Sequence, residues 1–339
     1  MKFLRKLLFP FSLLYGGIAA LRNFLYAHGV FKAYTFAMPV IVVGNLSTGG
    51  TGKTPHTEYL VRILSGKFHV AILSRGYRRR SSGFILAGKR TTVAEIGDEP
   101  FQYHSKFDGV DVAVDSNRKN GIEQLISAVN PDVILLDDAY QHRRVKAGFY
   151  ILLTAYGDLY ADDLVLPAGN LREFAAGARR ADVIIVTKCP STLTVGAQQE
   201  IIRKLKPRHS QPVFFTTVAY DENVYGINGS IARDSLTEKK ILVAGIAKPE
   251  PFFRYLQRDG DELQTYPDHH DFTEAEVAQL ESASQEKIII TTEKDYMRLK
   301  GRLPEDRLFY LPIRVKFLNG KDQFDKLIAD YVGKSTRNS

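Results

Sequence analysis

Apolar residues at Val40-Ile41-Val42-Val43 lead into the stretch Ser47-Thr48-Gly49-Gly50-Thr51-Gly52-Lys53-Thr54. A strand followed by such a loop and then a helix is the setting of a phosphate-binding P-loop, although Ser47 stands where the strict pattern has glycine. The glycines let backbone N–H groups surround phosphate oxygens, Lys53 supplies a cation, and the Thr54 hydroxyl can ligate Mg²⁺. The stretch therefore predicts a site for ATP and Mg²⁺. Its nucleotide-binding residues are predicted to be Thr48, Gly49, Gly50, Thr51, Gly52, Lys53, Thr54 and Pro55.

A second apolar run, Val133-Ile134-Leu135-Leu136, ends in the carboxylates Asp137 and Asp138. Such a run is typical of a buried parallel strand. In a doubly wound sheet the ligand crevice lies outside the carboxyl ends of the strands, so these acids can meet the Mg²⁺ held by Thr54. We expect Asp137, Asp138 and Thr54 to form the metal site and Asp138 to act with Lys53 in catalysis. Which of the two aspartates ligates the metal directly stays open.

Short β-branched runs recur along the chain with the spacing of strands in a parallel sheet. They predict an α/β fold in which a P-loop NTPase parallel-sheet domain spans residues 31–215. A two-stranded β-ribbon is predicted over residues 216–235, around Asn228-Gly229. A second, smaller α/β domain is predicted over residues 236–333. The clearest strand candidates begin at Val70, Val110, Val133, Tyr150, Val183, Ile241 and Ile288.

Composition limits the possible function classes. With 339 residues, 44% of them apolar, the chain is longer than one core usually supports. The single cysteine, Cys189, excludes a disulfide framework and suits a reducing compartment. The net charge of +8 favours anionic partners. Nucleic acid, anionic lipid and phosphorylated metabolites all remain open on this ground.

Among these anionic partners, the N-terminal sequence favours a lipid surface. Basic residues among the first six precede an uncharged run over residues 7–21, which includes Pro10. The run is shorter than the roughly 20 residues that span a bilayer, and a secreted protein would have no ATP for its P-loop. We expect residues 1–30 to form a helical segment that anchors the protein to the cytoplasmic face of a membrane. The alternative is an ordinary buried helix packed on the nucleotide domain.

Three further polar motifs are inconclusive one at a time. The arginines of residues 74–80 follow a predicted strand and could grip phosphate, or form a solvated loop. Asp98 precedes a proline and could simply cap a helix. Residues 268–271, Asp-His-His-Asp, could bind a metal or form a surface turn.

Taken together, these motifs resemble the tetraacyldisaccharide 4'-kinases of the lipid A pathway over roughly residues 5–315. Ala139 is a departure, because the family usually has glycine after the paired acids. The motifs occur in the family's order: Asn45-Leu46, Gly49–Pro55, Ser74-Arg75-Gly76-Tyr77, Gly97-Asp98-Glu99-Pro100, Asp137-Asp138, Gln141-His142-Arg143, Leu166-Pro167-Ala168-Gly169, Leu171-Arg172-Glu173, Pro267-Asp268-His269 and Thr292-Glu293-Lys294-Asp295.

The resemblance implies transfer of the ATP γ-phosphate to the 4'-hydroxyl of tetraacyldisaccharide 1-phosphate, giving the 1,4'-bisphosphate precursor of lipid A. It implies that the enzyme acts at the cytoplasmic face of the inner membrane. The implied partners are the lipid A disaccharide precursor and the membrane surface, and neither nucleic acid nor an obligate protein partner is expected. It points to Asp98 as the general base, paired with His269 from the second domain. The acceptor-binding residues that it implies are Arg75, Tyr77, His142, Arg172 and Glu173.

Two other function classes are weaker. The loop also resembles that of membrane-associated partitioning and positioning ATPases, but those switches carry a lysine where this chain has Thr48. A nucleic-acid-binding protein would need a contiguous basic face with interleaved aromatic residues, and the arginine stretch lacks that interleaving.

Overall fold

The computed structural model describes residue 5, residues 7–268 and residues 270–336. Its strands form two sheets, one of nine strands and one of six. The strands are β1 Val40–Asn45, β2 Val70–Ser74, β3 Ile85–Leu86, β4 Asp111–Val114, β5 Val133–Asp137, β6 Phe149–Ala155, β7 Val183–Thr187, β8 Val213–Tyr220, β9 Asn223–Gly226, β10 Gly229–Ala232, β11 Lys240–Ala244, β12 Glu262–Thr265, β13 Ile288–Thr292, β14 Leu308–Leu311 and β15 Ile313–Phe317.

The nine-stranded sheet has the order β15-β8-β7-β6-β1-β5-β2-β4-β3. Its seven central strands are parallel, whereas the edge strands β3 and β15 are antiparallel to their neighbours. The chain moves from β1 towards β2 and later returns to the other side of β1 with β6. The crevice outside the carboxyl end of β1 is therefore the topological switch point, where ligands bind in such sheets. The predicted fold class is confirmed.

Helices cover both faces of each sheet, so each sheet lies between two apolar cores. On the large sheet, α2 and α10 contribute to one core, and α5 and α6 contribute to the other. The helices are α1 Phe9–Ala27, α2 Lys53–Leu64, α3 Val93–Ile96, α4 Asp98–Lys106, α5 Arg118–Val129, α6 Val195–Leu205, α7 Glu250–Leu256, α8 Glu274–Ala283, α9 Glu293–Leu299 and α10 Lys321–Thr336.

The six-stranded sheet has the order β10-β9-β14-β13-β11-β12. The hairpin expected around Asn228-Gly229 is present as β9 and β10, but it belongs to this sheet. The connection between the sheets is made instead by β8 and β15, which pair from Tyr220–Ile313 to Thr216–Phe317. Residues 313–336, expected in the second domain, return to the first sheet because their apolar face, including Phe324 and Ile328, packs into its core.

Helix α1 has its small and polar side turned to the protein. Ser12 and Gly16 are its buried residues, and the ring of Phe174 lies against Gly16. Large apolar side chains face outward instead, among them Leu14 at 65% exposed and Ile18 at 63%. Pro10 lies in the first turn, where its missing N–H costs no hydrogen bond. Of the helices described, α1 included, none combines the length and apolar character that crossing a membrane requires.

Candidate functional site

The predicted P-loop connects β1 to α2. Gly52 precedes the helix with φ +84°, a left-handed conformation that favours glycine. Hydrogen bonds hold the loop in place, among them those from Thr48 N to Asn170 O at 2.9 Å and from Asn45 Nδ2 to Gly49 O at 3.1 Å. No side chain caps the first turn of α2, so its N–H groups remain available to phosphate oxygens.

The loop also fits a ligand that approaches the backbone closely. A Cβ added at Gly49 or Gly50 would meet nothing within 4 Å, so packing within the protein does not require glycine at either position. The absence of a side chain there instead leaves room against the backbone, as a bound phosphate needs. The buried Thr51 Oγ1 has no hydrogen-bond partner within the protein. These features fit ATP in this loop.

Asp138 lies beside two cations. Lys53 Nζ is 3.5 Å and Arg172 Nη1 is 3.2 Å from Asp138 Oδ1. Burial by itself would raise the pKa of Asp138, but Lys53 and Arg172 together hold that pKa below its ordinary value. Asp138 is therefore an anion between two groups that can also bind phosphate.

Asp137 ends β5 next to β1, where it pairs with Val43. Its side chain is buried, and Thr57 Oγ1 donates to Oδ1 at 3.5 Å. Burial, followed by the nearby charge of Asp138, raises the pKa of Asp137 to about 7. A buried carboxylate with a raised pKa beside the half-buried, ionised carboxylate of Asp138 fits a hard divalent cation, which prefers oxygen ligands and relieves the repulsion between them. The pair thus fits Mg²⁺ at the position that the sequence predicts.

Asp98 is the first residue of α4. Gly97 precedes it with φ +91°, and a Cβ at Gly97 would lie 2.8 Å from Tyr77 O, so the close approach of these two loops depends on glycine. Both carboxylate oxygens of Asp98 accept hydrogen bonds from Arg298 of α9, from Nε at 3.2 Å and from Nη2. A cleft of about 440 Å³ opens at this pair, with Tyr77 on its wall. Asp98 is therefore accessible from the space between the two sheets.

The predicted partner of Asp98, His269, lies outside the described residues. Its neighbours do not assemble a metal site. His270 Nε2 is 2.9 Å from Glu276 Oε2, and Asp268 bonds to Lys294 at 3.0 Å. Among the residues that the structure describes, no group of three or more His, Cys, Asp or Glu side chains could hold a metal ion.

The structure brings Arg75 and His142 into one cationic region. Arg75 is exposed at the end of β2, and His142 follows the β5 loop. Burial, and then four arginines that include Arg75, Arg118 and Arg22, lower the pKa of His142 to about 4. The Nε2 of the neutral imidazole is buried and has no hydrogen-bond partner among the described residues. An acceptor with an anionic group could meet the exposed Arg75 of this region.

Glu173 lies in a different environment from the other predicted acceptor-binding residues. It is 2% exposed and accepts two hydrogen bonds from Arg180, both at 2.8 Å. Asn23 of α1 donates to the same carboxylate at 2.6 Å, and Gln141 donates at 3.2 Å. This network joins α1 to the loops around the site.

Three residues near the site were not expected from the sequence. Lys188 donates to Gly50 O at 2.6 Å, and Arg118 donates to Asp137 O at 3.4 Å. Arg298 lies on α9, which packs on the six-stranded sheet, and donates a hydrogen bond to Asp98. Lys188 directly follows β7 and Arg118 lies shortly after β4, so a search for cations after parallel strands could have found both. Arg298 carries no such local signal.

Comparisons with known proteins agree with this geometry. The sequence model of the family described as "Tetraacyldisaccharide-1-P 4'-kinase" matches residues 4–333. A protein named tetraacyldisaccharide 4'-kinase from Flavobacterium johnsoniae is 55% identical and covers 98% of both chains. The protein of that name from Bacteroides thetaiotaomicron is 41% identical, covering 99% of this chain and 95% of its own.

A solved structure is similar over nearly the whole fold. LpxK from Aquifex aeolicus, crystallised in complex with ATP, has a TM-score of 0.79 and 30% sequence identity, with 97% of this chain and 99% of that chain covered. The family match and these relatives span both sheets, the P-loop and the paired aspartates. The chain belongs to the tetraacyldisaccharide-1-P 4'-kinase family.

Proposed function

We propose that the protein is an ATP-dependent lipid kinase that transfers the γ-phosphate of ATP to the 4'-hydroxyl of tetraacyldisaccharide 1-phosphate. The product is the 1,4'-bisphosphate precursor of lipid A. The observation that carries the proposal is the P-loop with the paired carboxylates of Asp137 and Asp138 at the same sheet edge, and Asp98 in the neighbouring cleft supports it. Phosphoryl transfer needs in-line positioning, neutralisation of charge and a group that receives the hydroxyl proton, and these residues can supply all three.

In this proposal, residues 48–55 hold the triphosphate of ATP. Lys53 leaves its pairing with Asp138 to bind the β- and γ-phosphates, because a transferring phosphoryl group offers it more negative charge than one carboxylate. Thr54, Asp137 and Asp138 hold Mg²⁺, which when bound neutralises charge on the phosphates. Arg172, released from the same carboxylate, can then contact the acceptor or the phosphoryl group.

Asp98 receives the proton of the 4'-hydroxyl, with His269 as its partner. The location of Asp98 in the cleft supports this role, because a base must be within hydrogen-bond reach of the hydroxyl. Arg75, Tyr77 and His142 bind the phosphorylated sugar. Glu173 contributes indirectly, by holding α1 and the loops in place, since its carboxylate is already fully engaged.

The outward face of α1 supports binding to a membrane surface. A helix that turns Ser12 and Gly16 inward and leaves large apolar residues outward has the reverse of the pattern that packing alone would select. We place this face in the cytoplasmic leaflet of the inner membrane, where a lipid acceptor is presented and where ATP is available. Residues 1–30 then form the anchor.

We also propose a revised domain division. Residues 31–220 and 313–336 form the nucleotide-binding domain, and residues 221–312 form the second domain. The pairing of β8 with β15 supports this division, because both covalent connections between the sheets run through that ribbon. Two chain connections that lie side by side, as the antiparallel strands β8 and β15 do, suit a hinge between domains.

The function is tested by incubating the purified full chain with radiolabelled ATP, Mg²⁺ and tetraacyldisaccharide 1-phosphate in mixed micelles. The labelled bisphosphate should form, and the acceptor that already carries a 4'-phosphate should give none. ATP hydrolysis without label in the lipid would refute the proposal and favour an ATPase switch.

The membrane role is tested by the double variant Leu14→Glu/Ile18→Glu in sedimentation with anionic vesicles. Binding should fall by at least tenfold, because two carboxylates replace apolar groups at the surface. Val195→Glu is the matched control, since Val195 is 66% exposed on α6, away from α1. Equal losses in both variants would contradict a specific role for α1.

A further inference from the structure

Arg298 contacts Asp98, and it lies on α9, which packs on the six-stranded sheet. Its side chain is 9% exposed and that of Asp98 is 13% exposed, so the pair is largely shielded from water. The guanidinium meets the carboxylate through Nε and Nη2, which gives a two-point contact. Such contacts fix the plane as well as the position of a carboxylate.

The same guanidinium also contacts the loop that follows β12. Arg298 Nη1 donates to His270 O, and Asp271 Oδ1 lies 3.6 Å from it. Arg298 thus joins Asp98 to the segment adjacent to His269 in sequence. One side chain therefore contacts both Asp98 and the His270-Asp271 segment.

Helix α9, which carries Arg298, is firmly attached to its own sheet. Asp295 is fully buried, and its Oδ2 accepts from Gly245 N at 2.8 Å and from Thr292 Oγ1 at 2.7 Å. Thr292 in turn caps the helix. An arginine on so fixed a helix can hold a group on a neighbouring element in one orientation.

A second ion pair sets the relative position of α4 and α9. Lys106, at the last turn of α4, bonds to Glu293 at the start of α9. Asp98 at the start of α4 meets Arg298 near the end of α9, whereas Lys106 at the end of α4 meets Glu293 at the start of α9. The two ion pairs therefore lie at opposite ends of the contact between the helices. Two separate contacts restrain both sliding and rotation of α4 against α9.

The chemistry of arginine suits a partner for a base. A guanidinium stays protonated at any pH at which a protein folds, so it does not exchange protons with the carboxylate. A carboxylate oxygen has two lone pairs, so an oxygen that accepts from a guanidinium can also accept the proton of a sugar hydroxyl.

We propose that Arg298 is a positioning residue that orients Asp98 towards the acceptor hydroxyl and ties it to the loop of the second domain. The inference rests on the proposed kinase activity and on Asp98 as its base. It assigns a role in the reaction to α9, through the contact of Arg298 with Asp98.

The test compares Arg298→Gln, Arg298→Lys and Arg298→Ala with the wild type in the lipid kinase assay. Arg298→Gln should lower kcat by about 100-fold, as misplacement of a reacting group does, and change KM for ATP by less than about twofold. Arg298→Lys should recover part of the loss, and low concentrations of guanidinium ion should partly restore Arg298→Ala. Arg307→Gln is the matched control, because Arg307 forms an exposed ion pair with Glu238 on the same domain.

The double variant Arg298→Gln/Asp98→Asn should be no slower than Asp98→Asn alone, because both changes act on one unit. Multiplied losses, or no effect of Arg298→Gln on kcat, would overturn the inference while leaving the wild-type activity intact. If the wild type itself formed no bisphosphate, the proposed function would fail instead. Thermal unfolding separates misfolding from a loss of positioning, and if Arg298→Gln does not fold, the Arg298→Lys comparison decides.

Discussion

Replacement of Lys106 by methionine should destabilise the protein in a pH-dependent manner. Lys106 Nζ lies 2.7 Å from Glu58 Oε2 on α2 and also bonds to Glu293 on α9. The side chains of Glu58 and Glu293 are only 1% and 6% exposed. The ammonium group of Lys106 therefore pairs with two buried carboxylates. One is on α2, which packs on the nine-stranded sheet, and the other is on α9, which packs on the six-stranded sheet.

The size of the destabilisation depends on which hydrogen bonds each carboxylate keeps after Lys106 is replaced. Glu58 keeps hydrogen bonds from Arg62 at 2.9 Å and Gln102 at 2.8 Å, so it does not become an isolated charge. Loss of its bond to Lys106 should cost about 1.5–3 kcal/mol, the range for a hydrogen bond to a charged group. This part of the cost should be similar at pH 6 and at pH 8.

Glu293 supplies the pH dependence. Burial, and then the charge of Glu58, raise the pKa of Glu293 from 4.5 to about 7, although Lys106 opposes this shift. Because the folded-state pKa is raised, the contribution of Glu293 to stability is fully present below about pH 4.5 and is lost as the pH rises through 7. Without Lys106 the carboxyl must stay protonated to higher pH. At pH 8, one unit above 7, this adds about 1.4 kcal/mol.

The Lys106→Met variant should therefore lose about 1.5–3 kcal/mol at pH 6 and about 3–4.5 kcal/mol at pH 8. Urea unfolding followed by circular dichroism at both pH values measures this difference. The control is Lys204→Met, which removes an exposed pair with Asp162 and should cost less than about 0.5 kcal/mol. Adding Glu293→Gln to Lys106→Met should remove most of the pH dependence. An equal loss at pH 6 and pH 8 would refute the reasoning.

Three further predictions concern the reaction. Lys53→Ala should leave less than about one tenth of the transfer rate, because it removes the cation that follows charge onto the γ-phosphate; a higher rate in the lipid kinase assay would contradict the P-loop role. Gly50→Ala should leave the unfolding temperature unchanged, since its Cβ would meet no atom within 4 Å, yet weaken ATP binding measured by calorimetry. Asp98→Ala and His269→Ala should each lower kcat, and the double variant should be little worse than the slower single variant; multiplied losses would mean independent roles.

The elements that could be predicted from the sequence are those whose signal is local. β1, β5 and the P-loop follow from an apolar run next to glycines or acids, and they lie together because parallel strands end at one edge. The roles of Asp98 and His269 came from a family resemblance instead, because a carboxylate before a proline equally suits a helix cap.

Contacts between distant segments could not be predicted in this way. Arg298 and Asp98 are 200 residues apart, and nothing local distinguishes Arg298 from other arginines on helix surfaces. The return of β15 to the first sheet is likewise a long-range pairing, which the alternation of Ile313 to Phe317 does not specify. Glu173 was expected at the acceptor from the family resemblance, but the structure pairs its carboxylate with Arg180.

The loop over residues 163–173 connects the apolar helix to the phosphate site. On one side, Ala168 N donates to Ser12 Oγ of α1 at 2.9 Å, and Arg5 contacts Pro167 O at 3.2 Å. On the other side, Asn170 O accepts from Thr48 N of the P-loop. Because this loop contacts both, the distance from the outward face of α1 to the P-loop is set by protein structure. The proposed activity would need that fixed distance, because the acceptor hydroxyl would lie just beyond acyl chains held in the membrane and in-line transfer tolerates little misplacement.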